Sequence, residues 1–345
     1  MSKENGGKRC DYADQVANAR RKALYKFRDD YDAPRKAKAA VNAWKEANKE
    51  LVVSHLPSTQ PFNAQANKKP IPESLQALLT QKARDSVMGL PEEERLKQTR
   101  ELYEARKVWF DALTKGQDSA VSHYAMNFFE GVNSHLRKEG YSAWLKANSH
   151  LYNKSENTLA RVKEDVRNLD TAIKLAPIPE EPRKLYRFFR VPAGVTPHEY
   201  MERYFKTGEG FKEKGYMSTT ADPEFVMGHM WKQNKGTKNH GYVVMEIITK
   251  QGASLQNRAT SSSGDVQSLE KEILLPRNMK LRIASTRKSQ RFEFASDRKD
   301  LDSQYNNSYS TSNEIYQRWG AFKKGDRMNF PLIQMIDEDL IAKTS

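Results

Sequence analysis

Between Pro177 and Pro182 the chain reads Pro-Ile-Pro-Glu-Glu-Pro. Three prolines in six residues remove backbone donors and fix φ, so neither a helix nor a central strand can run through. The texture differs on the two sides. Before the break the pattern is helical. Tyr12–Val52 is rich in Ala, Lys, Arg and Glu, and Pro34 kinks or splits it. Pro91–Leu113 opens on a proline followed by three glutamates, which suits a helix N-terminus. Ser119–Lys138 and Ala143–Leu175 carry apolar residues at helical spacing. Pro57–Pro72, with four prolines, reads as a loop.

After the break, short apolar runs alternate with Gly, Pro and polar stretches: Lys184–Val191, Tyr216–Thr219, Tyr242–Ile248, Ile273–Leu275, Leu281–Ala284, Phe292–Phe294 and Phe330–Ile336. This spacing predicts a strand-rich unit. Pro197–Phe205 is its clearest helix, and Gln304–Asn313 is a polar loop. The expected division is a helical domain over 1–176, a linker over 177–182 and an α+β domain over 183–345.

The 345 residues are enough for two domains. Net charge is +14, split evenly at +7 for residues 1–180 and +7 for 181–345. Basicity spread this way favours acidic partners in general and gives only weak support to nucleic acid, because no motif concentrates it. Lys22–Lys49 interleaves basic residues with Tyr25, Phe27, Tyr31 and Trp44, but acids run through it too, and packing of its aromatics inside its own domain is the favoured reading. With Cys10 the lone cysteine, no disulfide framework forms and the chain suits a reducing compartment. The N-terminal residues lack an apolar signal-peptide core, and no run reaches the roughly 18–20 apolar residues that cross a bilayer. His198, His229 and His240 have no spacing with Cys or acids that suggests a metal.

Three short segments carry the chemistry. LYRFFR (Leu185–Arg190) supplies an arginine, GYMSTT (Gly215–Thr220) a run of hydroxyls, and LEKEILL (Leu269–Leu275) two glutamates. Extended, the last segment puts Glu270 and Glu272 on one face and Lys271 on the other. Alone, Glu-x-Glu on a strand is usually a solvated face. Its companions, and the Ile273-Leu274-Leu275 anchor, shift the reading to catalysis.

An arginine strand, a helix, a Ser-Thr strand and a Glu-x-Glu strand, in that order, resemble the R-S-E class of mono-ADP-ribosyltransferases. That class includes cholera-like and clostridial binary toxins, type III effector transferases and the transferases of T-even bacteriophages. The resemblance covers about Lys184–Ile336, and LEKEILLP with the upstream Gly-Tyr-x-x-x-Glu-Ile strand is its most specific part. It implies an α+β fold of two packed small sheets with flanking helices, NAD as substrate in the cleft between them, and no metal.

Residue by residue, the resemblance makes Arg187 the arginine that grips a pyrophosphate oxygen, with Arg190 as its backup. Ser218 matches the serine that positions the catalytic glutamate, Thr219 braces the strand, and Thr220 replaces the family's second serine while keeping a hydroxyl. Glu272 matches the family glutamate that meets the nicotinamide ribose and favours its oxocarbenium-like cation. Glu270 stands where arginine-modifying members carry a second glutamate and asparagine-modifying members carry glutamine. Phe188 joins the dinucleotide-contacting set, and Phe225 is a candidate to stack on nicotinamide, although core packing is the commoner fate of such a residue. Asn257–Gln267 would be the loop that meets the target.

The function implied is transfer of ADP-ribose from NAD to an arginine of a host protein, in a host cytoplasm reached by injection or phage infection. Two alternatives stand beside it: an RNA acceptor, and a non-catalytic binding or structural module with a degenerate transferase fold.

Overall fold

The computed structural model describes residues 69–80, 86–138, 141, 158–191, 195–233, 241–255, 271–296 and 322–344. The expected Tyr12–Val52 helix, the first part of Ala143–Leu175, the Asn257–Gln267 loop, the Gln304–Asn313 loop and Glu270 lie outside them, as does all of Pro57–Pro72 before residue 69.

Among the described residues nine strands form the sheet: β1 (Ser86–Met88), β2 (Arg183–Arg190), β3 (Gly210–Lys212), β4 (Met217–Thr220), β5 (Tyr242–Thr249), β6 (Ala253–Ser254), β7 (Glu272–Leu275), β8 (Lys280–Glu293) and β9 (Arg327–Asp337). Their order is β1-β8-β9-β5-β2-β4-β7-β6, with β3 on β8. One link in this path is narrow. β2 pairs β4 only through Tyr186 and Thr220, whereas β2 pairs β5 over all eight of its residues. Two wings result, one of β1, β3, β8, β9, β5 and β2 and one of β4, β7 and β6.

Their facing side chains form one apolar cluster. Leu185, Val243, Met245, Ile283 and Ile333 come from the larger wing, and Met217, Ile273 and Leu275 from the smaller. The expected α+β fold of two small packed sheets is therefore the observed one. The smaller wing buries its other face against helices: Tyr216, Ala253, Leu255 and Leu274 pack with Trp109, Tyr124, Phe128, Val166 and Leu169. Apolar contact of this kind on both faces leaves strands no solvent side, which is why β7 reads Glu-Ile-Leu-Leu without alternation.

Glu92–Asp111 follows Pro91 and has no side-chain cap, whereas three other helices begin on threonine caps. Lys115–His123 starts with a reciprocal Thr114–Gln117 capping box, and Pro197–Tyr204 with a Thr196–Glu199 box and Pro197 in its first turn. Thr158 caps Leu159–Lys174. Between Lys115–His123 and Phe129–Arg137, residues Tyr124–Phe128 wind as a π-helical turn. Such turns are rare and cluster at functional sites.

The apolar run Leu281–Ala284 and the start of the run Phe292–Phe294 belong to the single strand β8, which ends at Glu293 and whose middle is polar and irregular in register. The helices Glu73–Thr80, Pro223–Gln233 and Glu338–Thr344 and the short strands β1, β3 and β6 had no strong pattern to announce them.

Candidate active site

β2 and β4 meet at their narrow junction, and β7 lies beside β4. A pocket of about 240 Å³ opens there. It is lined by Tyr186, Arg187 and Phe188 of β2, Ser218, Thr219 and Thr220 of β4, Phe225 and Val226 of the Pro223–Gln233 helix, and Glu272 of β7. Arg187, Phe188, Ser218, Thr219 and Glu272, from three separate segments of the sequence, and Phe225, from beyond the second of them, are thus brought together. Arg190 ends β2 opposite Tyr242, and its side chain lies outside the described residues, as does the whole of Glu270.

Strand register explains the convergence. Thr220 faces Glu272, Thr219 faces Ile273 and Ser218 faces Leu274. Thr219 turns inward and donates to the Ile273 carbonyl at 2.7 Å, tying β4 to β7. Ser218 hydrogen-bonds the Glu272 carboxylate. Burial raises the Glu272 pKa above its ordinary value of 4.5, and the Ser218 bond opposes that shift by favouring the ionised form.

One sequence expectation needs correction. Lys271 does not continue an extended strand. Its φ is 41°, and β7 begins only at Glu272. The Lys271 side chain does point away from the pocket, into a fully buried position. A left-handed turn at a lysine leaves no pattern in the sequence, since glycine and asparagine are the usual signals.

The site also contains residues that sequence reading missed. Tyr124 opens the π-helical turn and is buried. Asn133 Nδ2 donates to its phenolic oxygen at 3.1 Å, and the Tyr124 hydroxyl hydrogen-bonds Ser218. Ser218 thus stands between Tyr124 and Glu272, and it links the Asn133–Tyr124 bond of the helices to the carboxylate. Burial pushes the Tyr124 phenol up to about 12, so it keeps its proton at neutral pH.

Asn133 is itself pinned. Its side chain accepts from the Tyr216 amide at 2.9 Å and donates to the Tyr216 carbonyl at 3.2 Å, just before β4. Arg187 feels Glu213 and Arg137, which pair with each other at 2.9 Å. Burial lowers the Arg187 pKa, Glu213 opposes this and Arg137 reinforces it. On the far side of β2, Tyr186 donates to Glu246, which accepts from Gln334 Nε2 at 2.8 Å, while Ser285 donates to Gln334 at 2.6 Å. No spacing rule separates Tyr124 or Asn133 from ordinary core residues of a helix.

Among the described residues no group of three or more His, Cys, Asp and Glu side chains is placed to hold a metal, and no helix is long and apolar enough to cross a membrane. A desolvated guanidinium and a serine-held carboxylate across one small cleft can grip an anion and face a developing cation.

The solved enzymatic component C2-I of the Clostridium botulinum C2 toxin is similar at 16% identity and TM-score 0.40, covering 68% of this chain and 47% of that one. The C. perfringens toxin BECa, solved with NADH, shows 13% identity and TM-score 0.42 over 70% of this chain and 48% of its own. The Clostridium limosum C3 exoenzyme shows 13% identity and TM-score 0.42, with 74% of this chain and 98% of that one covered. The chain thus spans about half the length of the two binary-toxin components. No curated protein matches it. The model of the ADP-ribosyltransferase exoenzyme family matches residues 102–309, more than half of the chain. That span starts within the Glu92–Asp111 helix and takes in Tyr124, Asn133 and every pocket residue, so this chain belongs to the ADP-ribosyltransferase exoenzyme family.

Proposed function

We propose that the protein transfers ADP-ribose from NAD to an arginine side chain of a target protein and releases nicotinamide. The observation that carries this reading is the convergence of Arg187, Ser218 and Glu272 on one pocket, with Ser218 bonded to the Glu272 carboxylate. Arg187 is the pyrophosphate ligand. Its charge is disfavoured by burial, and an incoming phosphate oxygen relieves that cost through a two-pronged hydrogen bond. Phe188, Phe225 and Thr219 complete the walls, and in this reading Phe225 stacks on the nicotinamide ring.

The glycosidic bond breaks with its electron pair leaving on the nicotinamide nitrogen, which becomes neutral. The ribose carbon is left as an oxocarbenium-like cation. Glu272, ionised and held by Ser218, hydrogen-bonds the ribose 2′-hydroxyl and stabilises that charge. The acceptor guanidinium is a poor nucleophile while protonated, because its pKa exceeds about 12. Glu270 orients it and accepts its proton as the new carbon–nitrogen bond forms.

Residues 1–176 are proposed as a helical unit for docking, delivery or regulation, joined by the 177–182 linker to the transferase unit, 183–345, against which its described helices pack. Through Tyr124 and Asn133 the helical unit also supports the site. The proposed place of action is the cytoplasm of a host cell.

The test is to incubate a host lysate with enzyme and labelled NAD, and to map the label by mass spectrometry. Arginine-linked ADP-ribose on protein supports the reading. Label on asparagine, or label removed by RNase and not by protease, contradicts the acceptor.

A further inference from the structure

Two cations and two anions are buried together behind the pocket, and the chemistry described so far uses none of them. Arg95 and Lys271 are fully buried, and Asp222 and Glu224 nearly so. Arg95 Nε lies 3.2 Å from Asp222, and its other nitrogens bond Glu224, Ser296 Oγ at 3.1 Å and the Leu90 carbonyl at 2.9 Å. Lys271 Nζ has three protons and three partners: the Arg95 carbonyl at 3.2 Å, Gln98 Oε1 at 3.2 Å and the Asp222 carboxylate at 3.3 Å.

Three of the four members sit beside a pocket residue in the chain. Lys271 precedes Glu272, Glu224 precedes Phe225, and Asp222 follows Thr220 by two. The Lys271 carbonyl also accepts from the Ala221 amide at 3.3 Å. The cluster therefore fastens the exit of β4, the entry to β7 and the start of the Pro223–Gln233 helix to the Glu92–Asp111 helix.

Lys271 is the expensive member. A left-handed φ of 41° is disfavoured for a side chain with a Cβ, and an ammonium is costly to bury. Such a conformation persists only where its surroundings over-determine it, and it concentrates at functional sites. Burial lowers the Lys271 pKa, and Asp222 is the main group that opposes this.

We propose that Lys271 is a positioning residue. Its buried ammonium, pegged to Asp222, Gln98 and the Arg95 carbonyl, fixes the turn from which Glu272 enters the pocket and so sets where that carboxylate meets the ribose. The proposal rests on Glu272 acting as described above. It acts through Glu272 and touches no substrate.

The full-length chain is assayed for NAD turnover as wild type, Lys271→Met, Lys271→Gly, Gln98→Ala and Glu272→Ala, each checked for cooperative thermal unfolding. Lys271→Gly accommodates the left-handed turn and removes only the peg. The expected result is a fall in kcat of about tenfold or more in both Lys271 variants, since small misplacements of a reacting group have effects of that order. KM for NAD stays within about twofold, because Arg187 and the pocket walls are untouched. Gln98→Ala falls between these and wild type. Wild-type kcat in a cooperatively unfolding Lys271→Gly protein overturns the proposal, as does a rise in KM that accounts for the whole loss. If neither Lys271 variant folds, Gln98→Ala decides by the same two criteria. An active Glu272→Ala protein instead overturns the underlying assignment of Glu272, which keeps the two failures distinct.

Discussion

The Glu272 carboxylate is asked to be charged in a place where charge is costly. Burial holds its folded pKa above the ordinary 4.5, so its contribution to stability is fully favourable below that value and is lost as pH rises through the raised one. Glu272→Gln should therefore raise the melting temperature relative to wild type at neutral pH, with the gain vanishing as pH falls below about 4.5. Activity runs with the opposite sign, because only the ionised form stabilises the ribose cation. NAD turnover should rise with pH through a midpoint above the ordinary glutamate range, and a midpoint at or below 4.5 contradicts the burial seen here. Tyr124→Phe keeps the ring in its core and deletes the hydroxyl that hydrogen-bonds Ser218. It should lower kcat on the order of tenfold while the melting temperature changes little; unchanged turnover means the Tyr124–Ser218 bond has no part in the reaction. Arg187, Ser218 and Glu272 were legible in the sequence because each sits in a short strand with a distinctive neighbour. Tyr124 and Asn133 were not, since their roles come from a π-helical turn and a tertiary bond.

Helices and strands bring these side chains together through a few close approaches. Gly215 is one. A Cβ there would lie 2.5 Å from Asn133 Oδ1, and Asn133 cannot yield because it already bonds Tyr124 and both backbone groups of Tyr216. Gly215→Ala should cost roughly 1–3 kcal/mol of stability and reduce turnover together, read by denaturant unfolding and NAD assay; an unchanged denaturation midpoint would falsify the close-approach account. The glycine before the Ser-Thr strand is visible in the sequence, but its reason lies on another helix. Local signals served the helices well. Thr114, Thr158 and Thr196 mark their starts, and Pro91–Leu113 and Pro197–Phe205 match the observed helices to within two residues. They served β7 less well, since Glu-Lys-Glu alternation implied an extended Lys271 and the buried ion cluster turns it instead.

At the scale of the molecule, residues before and after Pro177–Pro182 share one core, in which Trp109, Val166 and Leu169 meet Tyr216 and Leu274. Sequence texture suggested a division there, because helical and strand-rich periodicities change at that point. Texture reports local conformation and is blind to which apolar faces cover one another. A fragment beginning at Arg183 would expose the helix-facing side of β4, β6 and β7 to water. Expressed alone, it should lack a cooperative thermal transition by circular dichroism; a sharp transition would establish 183–345 as an independent domain. The same shared core is what lets one small cleft draw on a guanidinium from β2, a hydroxyl from β4, a carboxylate from β7 and a phenol from the helices. The most direct test of that cleft is nicotinamide release from NAD by wild type and Glu272→Ala, with both proteins shown to bind NAD. Release should fall by about a hundredfold or more in the variant while NAD binding persists. Release at the wild-type rate would contradict the account.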